Sequence, residues 1–311
     1  MNCSDKILIT GGTGLVGNAL RKVLSEAGFT NVFAMGRNDC DLTDYARTVS
    51  FIKSEKPDYV FHLAAQVYGI MGNMENKGKS YLNNTLINLG VVEGARQAQV
   101  KKIVCMGSGC VYPYPSPGLP LVETMVWQGA PHDSENSYAH AKRGMLAQLA
   151  AYREESGLDS AFVICGNLYG PHDKFDPNWG HVIPSLVAKF YAAAQKGEKV
   201  VVWGNGSARR DFTYGDDAAR ALLAIMQNIS GAVNLGSGNV YAIKEIVDTL
   251  ASICQMENNV EWDATKPNGQ DYRAYDLSKL QSAGFKATVG LRDGLQTTYD
   301  WYASNVSVAR R

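Results

Sequence analysis

Residues 6–28 read KILITGGTGLVGNALRKVLSEAG, and this stretch decides the fold. KILIT is a short run of β-preferring apolar residues, and NALRKVLSEAG carries its apolar positions at helical spacing. The glycines lie between them. Gly11 permits a tight turn out of the strand, Gly14 lets a pyrophosphate approach the backbone, and Gly17 allows the helix to pack closely. Leu15 and Val16 fall in the first turn of that helix, where unpaired N–H groups favour phosphate. Glycines at these spacings often mark no more than a turn; the strand before them and the helix after them make this a dinucleotide-binding βα unit.

The same alternation continues outward. NVFAM (31–35), DYVFHLAA (58–65) and KKIVCMGS (101–108) read as strands, with helices through ARTVSFIKSE (46–55) and NNTLINLGVVEGARQA (83–98). The pattern predicts an α/β fold: a doubly wound parallel sheet of the Rossmann type, with helices on both faces. Residues 1–166 are expected to form the cofactor-binding domain. From Asn167 the chain becomes loop-rich, so 167–311 should be mainly a smaller α/β substrate-binding lobe over the carboxyl ends of the strands, with some segments returning to the first domain. The amphipathic segments 185–197, 218–228 and 243–254 present core stripes, and VNLGSGN (233–239) is a strand and turn.

Thirty basic and thirty acidic residues cancel in a chain of 311, which leaves no electrostatic footprint for nucleic acid or an anionic membrane. No apolar run approaches a membrane span or a signal-peptide core. The six cysteines form neither CxxC pairs nor a disulfide framework, so a cytoplasmic protein with free thiols and no metal is expected. This composition points to small-molecule chemistry.

The residue after the second strand selects the cofactor. AMGRND places Arg37 where an NAD enzyme usually has a carboxylate, and arginine suits a 2′-phosphate, so the expected cofactor is NADP(H). Asp41 and Leu42 should lie near the adenine, and Ala64 and Ala65 are small enough to let the cofactor cross the third strand. Further along, Tyr138 and Lys142 stand at i and i+4 on one helix face, where a nearby ammonium, helped by the positive nicotinamide ring, favours phenolate and brings the tyrosine toward a useful pKa. Ser108, at a strand's carboxyl end, could hydrogen-bond the same carbonyl oxygen.

TGGTGLVG, the strand-end Ser108 and YAHAK together resemble the extended short-chain dehydrogenase/reductase family. GSGCVYP, NLYGPHDKFDPNWGHVIP, VVWGNG with RRDF, and DATKPNGQDYR narrow the resemblance to its branch that epimerises C3 and C5 of GDP-4-keto-6-deoxymannose and reduces C4. The resemblance covers nearly the whole chain. It implies that Cys110 and His181 serve as acid and base for epimerisation. The protons at C3 and C5 flank the ketone, and a thiol and an imidazole both titrate within about two units of neutrality. It implies also that Asn167 lies near the sugar, that Lys189, Arg210 and Arg273 face the diphosphate, and that Trp203 and Val182 form the guanosine pocket. Arg209 is then the surface member of its pair. A homodimer through the helix carrying Tyr138 and its neighbour is implied as well. The chain departs from the family pattern at Gly109, where serine or threonine is usual.

Bland roles suit several other residues. Cys105, Cys165 and Cys254 read as small buried hydrophobes, His62 as a core histidine, and His132, His140 and His172 as structural. Two rival functions remain open on these residues: an enzyme for another GDP-linked 4-keto sugar such as a heptose, and a non-catalytic NADP-sensing module.

Overall fold

The computed structural model describes residues 1–68, 70–266 and 271–310, so part of the DATKPNGQDYR motif lies outside the described residues. β1 (Ile7–Thr10) leads through the glycine turn into α1 (Leu15–Glu26), followed by β2 (Val32–Met35), α2 (Tyr45–Glu55) and β3 (Tyr59–His62). A short α3 (Ile70–Glu75) precedes α4 (Lys77–Gln97), which starts six residues before the predicted helix, and β4 (Lys102–Met106) follows. Asp44 starts α2 by accepting a hydrogen bond from the Arg47 amide at 3.0 Å. α5 (Asn136–Ser156) ends at Gly157, whose φ of 70° is left-handed and suits glycine. β5 (Ser160–Cys165) and β6 (Asn167–Tyr169) come next.

The second half contributes α6 (Val182–Lys196), β7 (Val200–Trp203) and β8 (Arg209–Tyr214), then α7 (Gly215–Asn228) and β9 (Gly231–Leu235). β10 (Val240–Ala242), α8 (Ile243–Cys254), β11 (Val260–Asp263), β12 (Tyr272–Arg273), α9 (Ser278–Ser282) and α10 (Leu291–Asn305) complete the chain.

Six parallel strands form the central sheet in the order β2-β1-β3-β4-β5-β9. The alternation of strand side chains splits the core in two. Ile7 and Ile9 face α1 and α7, with Leu20, Leu24 and Leu222, whereas Leu8, Val60 and Ile103 face α4 and α5, with Val91, Val92 and Met145. Each such fully buried aliphatic side chain contributes about 1.5–3 kcal/mol. β9 pairs with β5 although it lies late in the chain, because α7 packs its apolar stripe against α1 and carries the backbone home. The smaller lobe is built on β10-β8-β12, with β6 also on β8 and β11 on β7, around Phe175, Phe190, Leu250 and Leu295.

Since β1 lies between β2 and β3, the chain leaves β1 in opposite directions across the sheet, the switch point at whose strand carboxyl ends such sheets take their ligands. β3 ends at His62, so Ala64 and Ala65 sit in the loop beyond the strand, at the carboxyl end of the switch point.

Candidate active site

The glycine turn shows why each glycine is there. Gly11 is left-handed at φ 71°, and a Cβ on it would lie 2.9 Å from the Ala64 nitrogen. Gly17 has no room for a side chain because a Cβ would strike the Gly11 carbonyl. Gly12, which the spacing argument passed over, is equally constrained: a Cβ would lie 2.6 Å from Ala34 Cβ. Gly14 differs, since nothing comes within 3.5 Å of its Cβ position. Protein packing does not demand glycine there, and its bare backbone leaves room for a group to approach. Gly14 is also the N-cap of α1 with no side-chain cap and no acid in the first turn, which suits the helix start at Leu15 and Val16 to a pyrophosphate. Arg310, invisible to any motif, brings its Nη1 to 3.6 Å from the Gly14 Cβ position, on a segment anchored by the Phe175 amide donating to the Arg310 carbonyl at 2.8 Å.

Arg37 is exposed just past β2. An acid does lie close by: Asp39 folds back to accept from the Gly36 amide at 2.7 Å, which ties its carboxylate into the loop. Asp41 is also engaged locally, accepting from the amide and hydroxyl of Thr43 at 3.0 and 2.7 Å, and these bonds hold its pKa below the usual value. Leu42 packs against the core on the α4 and α5 side.

Beyond β4, Ser108 begins a 3-10 turn, Gly109–Val111, and its hydroxyl accepts from the Cys110 amide at 3.3 Å. Arg143 on α5 clamps this turn by donating Nε to the Val111 carbonyl at 2.8 Å. Cys110, Tyr138 and Ala139 form a small apolar cluster with Ala65 against it. Thus the thiol and the phenol are neighbours in a place that residue spacing alone does not link. Lys142 is buried with Nζ 5.7 Å from the centre of the Tyr138 ring, donating to the Met106 carbonyl at 2.8 Å.

Burial sets the electrostatics of the site in the protein alone. Burial, joined by the Glu135 charge, pushes the Tyr138 phenol well above its ordinary value, while burial lowers Lys142 to about 8. The lysine therefore does not by itself produce a phenolate. Burial and the Glu135 charge raise the Cys110 thiol to about 12, against the opposing Ser108 hydrogen bond and Arg273 charge. The resting thiol keeps its proton. Sequence reasoning missed Glu135, whose position three residues before Tyr138 was the available signal.

His62 is fully buried and fully paired. Asn88 Nδ2 donates to the Ala141 carbonyl at 3.2 Å, so its Oδ1 accepts from His62 Nε2 at 3.1 Å, and His62 Nδ1 accepts from the Thr10 hydroxyl at 2.8 Å. Thr10 in turn accepts from the Ala64 amide at 3.2 Å. This chain joins β1, β3, α4 and α5 beneath the site. Cys105 and Cys165 are buried and Cys254 half-buried.

On the smaller lobe, Val182 and Lys189 lie two turns apart on one face of α6, and Lys189 Nζ stands 5.5 Å from the ring centre of Trp203. Lys266, which the reading overlooked, approaches the same ring at 5.8 Å. His181 is exposed at the N-cap of α6, and its charge opposes the burial that raises the carboxyl of Asp173. Arg210 and Arg273 stand in register on adjacent strands; burial and then the Arg273 charge lower Arg210 to about 10. Arg209 points outward to Glu245 at 3.4 Å. Asn167 Nδ2 reaches the Asp211 carbonyl at 3.5 Å.

A parallel sheet with its switch point at β1, an open glycine turn and a buried phenol beside a lysine define the class: a dinucleotide-dependent α/β oxidoreductase. Residues 7–241 match the NAD dependent epimerase/dehydratase family, and the chain belongs to that family. It is 39% identical over 306 residues to GDP-L-fucose synthase 1 of Arabidopsis thaliana, covering 97% of this chain and 94% of that one. A crystal structure of a GDP-L-fucose synthetase from Naegleria fowleri bound to NADP superposes with a TM-score of 0.92 at 30% identity, covering 100% of this chain and 98% of that one. A GDP-6-OMe-4-keto-L-xylo-heptose reductase from C. jejuni gives 0.91 at 28% identity, covering 98% and 99%.

Proposed function

We propose that the protein is an NADP(H)-dependent GDP-sugar 3,5-epimerase and 4-reductase that converts GDP-4-keto-6-deoxy-D-mannose to GDP-L-fucose. The observation that carries this reading is the packing of the Cys110 thiol against Tyr138 in one cluster. A simple ketone reductase needs the serine, tyrosine and lysine; a thiol beside them suits proton transfer at the carbons flanking the ketone.

Residues 1–166, with α7 and β9 returned to their sheet, hold the cofactor, and the remaining lobe holds the GDP-sugar. The uncapped start of α1, the open face of Gly14 and Arg310 suit the cofactor pyrophosphate, and Arg37 suits the 2′-phosphate. NADPH, when bound, supplies hydride to C4. Arg210 and Arg273 neutralise the GDP diphosphate, and guanine stacks near Trp203 between Val182 and Lys189, with Asn167 toward the sugar.

Removing a proton at C3 or C5 leaves an enolate whose oxygen Ser108 and Tyr138 stabilise by hydrogen bonds. Returning a proton to the opposite face inverts the carbon, and Cys110 and His181 share these two transfers. The Ser108 hydrogen bond and the Arg273 charge both lower the thiol's pKa, so they oppose the burial that holds its proton. After epimerisation Tyr138 gives its proton to the C4 oxygen, and Lys142 supports the resulting phenolate.

The assembly is a cytoplasmic homodimer in this reading. Tyr81, Leu82 and Leu89 on α4 and Trp127 beside α5 are exposed, and an open groove of about 630 Å³ between these elements includes His140 and Gly144. Among the described residues no helix is long and apolar enough to cross a membrane.

The test is incubation with GDP-4-keto-6-deoxymannose in D₂O without NADPH. NMR should show deuterium entering C3 and C5, and Cys110→Ser should abolish the exchange while reduction with NADPH survives. Wild-type exchange rates in Cys110→Ser would refute the thiol's role. Turnover of a GDP-4-keto-heptose in preference to this sugar would favour the heptose reading, which the likeness to the heptose reductase supports.

A further inference from the structure

The glycine that departs from the family pattern has a counterpart elsewhere in the chain. Gly109 does not occupy a left-handed conformation, so its backbone accepts any residue. Space excludes them instead: a Cβ at 109 would overlap the Tyr275 hydroxyl oxygen, and would lie 3.1 Å from Tyr275 Cζ and 3.3 Å from Arg273 Nη1. On another side of the same ring, a Cβ at Gly166 would come within 3.0 Å of Cε2. Two glycines on separate segments therefore form a slot that holds one phenol. The ring cannot withdraw, because the Leu121 amide donates to the Ala274 carbonyl and the Asp276 amide donates to the Leu121 carbonyl, both at 2.9 Å. Tyr112 packs on its other side with ring centres 6.1 Å apart.

We infer that Tyr275 is a specificity-determining and positioning residue of the sugar pocket: its hydroxyl occupies the place of a side chain at position 109, beside Cys110, and holds the Arg273 guanidinium at the thiol. The inference rests on the GDP-sugar reading. Arg273 donates to the phenolic oxygen, and the Arg273 charge acts on both Tyr275 and Cys110. With its oxygen accepting from Arg273, the phenol keeps its hydrogen to donate to a sugar hydroxyl. A serine at 109 would offer a donor from the turn itself; Tyr275 offers one from the segment after β12, in the space such a side chain would fill. The ligand group recognised is the hexose, not the nucleotide.

The test compares GDP with GDP-mannose, an unreactive sugar ligand, by calorimetry. Tyr275→Phe keeps the ring in its slot and removes the hydroxyl. GDP-mannose affinity should fall about two- to tenfold more than GDP affinity, the range for one lost hydrogen bond to the sugar. In turnover, KM for the 4-keto sugar should rise and deuterium exchange at C3 and C5 should slow more than hydride transfer. Gly109→Ser alone should lower the Tm and weaken GDP-mannose, and Gly109→Ser/Tyr275→Leu should recover both, since leucine vacates the position of the hydroxyl. Equal effects of Tyr275→Phe on GDP and GDP-mannose, or no effect on either, would overturn the inference while leaving the GDP-sugar reading intact. Additive Tm effects at 109 and 275 would overturn it too. A wild type that binds neither ligand overturns both readings.

Discussion

Acid should weaken this protein through His62. The ring is fully buried, and burial followed by the Lys142 charge lowers its pKa to about 3. In an unfolded chain a histidine titrates near 6.5, so the unfolded state takes up a proton that the folded state refuses. Stability from the neutral ring is fully present above about pH 6.5 and is lost as the pH falls toward 3. Between pH 7 and pH 5 the loss is about 2 kcal/mol, at 1.36 kcal/mol per unit of differential binding. That figure hardly changes if the folded value is about 4 rather than about 3, because at pH 5 both leave the buried ring neutral. The measurement is urea unfolding at pH 7, 6 and 5 for the wild type and His62→Gln. The other four of the five histidines are common to both proteins, so their contributions cancel. The variant should be less stable at pH 7, since Thr10 and Asn88 lose a well-placed partner, yet it should show about 2 kcal/mol less pH dependence over this interval. Parallel curves for the two proteins would refute the argument, because they would mean that the buried ring does not resist protonation.

Tyr138→Phe keeps the ring packed on Cys110 and removes the proton for the C4 oxygen; kcat for reduction should fall about a hundredfold or more with NADPH affinity retained, as read by stopped-flow and fluorescence titration. Near-normal reduction would exclude the phenol as the donor. Arg37→Ala should weaken NADPH several-fold to a hundredfold and leave NADH little changed, and an equal loss for both would remove Arg37 from the 2′-phosphate site. Trp203→Ala should reduce GDP affinity about five- to hundredfold, the range for a base stacked on an aromatic ring, without altering NADPH binding; unchanged GDP affinity would place the guanine elsewhere.

How much of this was legible in advance follows from how far apart the causes lie. Strand, glycine turn and helix were readable in residues 6–28 because each depends on neighbours a few positions away: Gly11 on its own φ, Gly17 on the carbonyl six residues before it. Tyr138 and Lys142 were readable for the same reason, one helical turn bringing them to one face. That Arg37 and Ser108 follow strands of a parallel sheet was legible too, because the alternation of strand and helix fixes where each strand ends. Only the tertiary structure could place Arg310 at Gly14, return β9 to the central sheet, or pack Cys110 on Tyr138, because these contacts span long stretches of chain. It decided the proton affinities as well: burial holds the Cys110 thiol and the Tyr138 phenol protonated, and burial is a property of every surrounding element rather than of a motif. Gly109 shows the boundary most plainly. In the sequence it is a missing hydroxyl; in the fold the missing volume is filled by Tyr275, 166 residues further along, since two side chains cannot occupy one space.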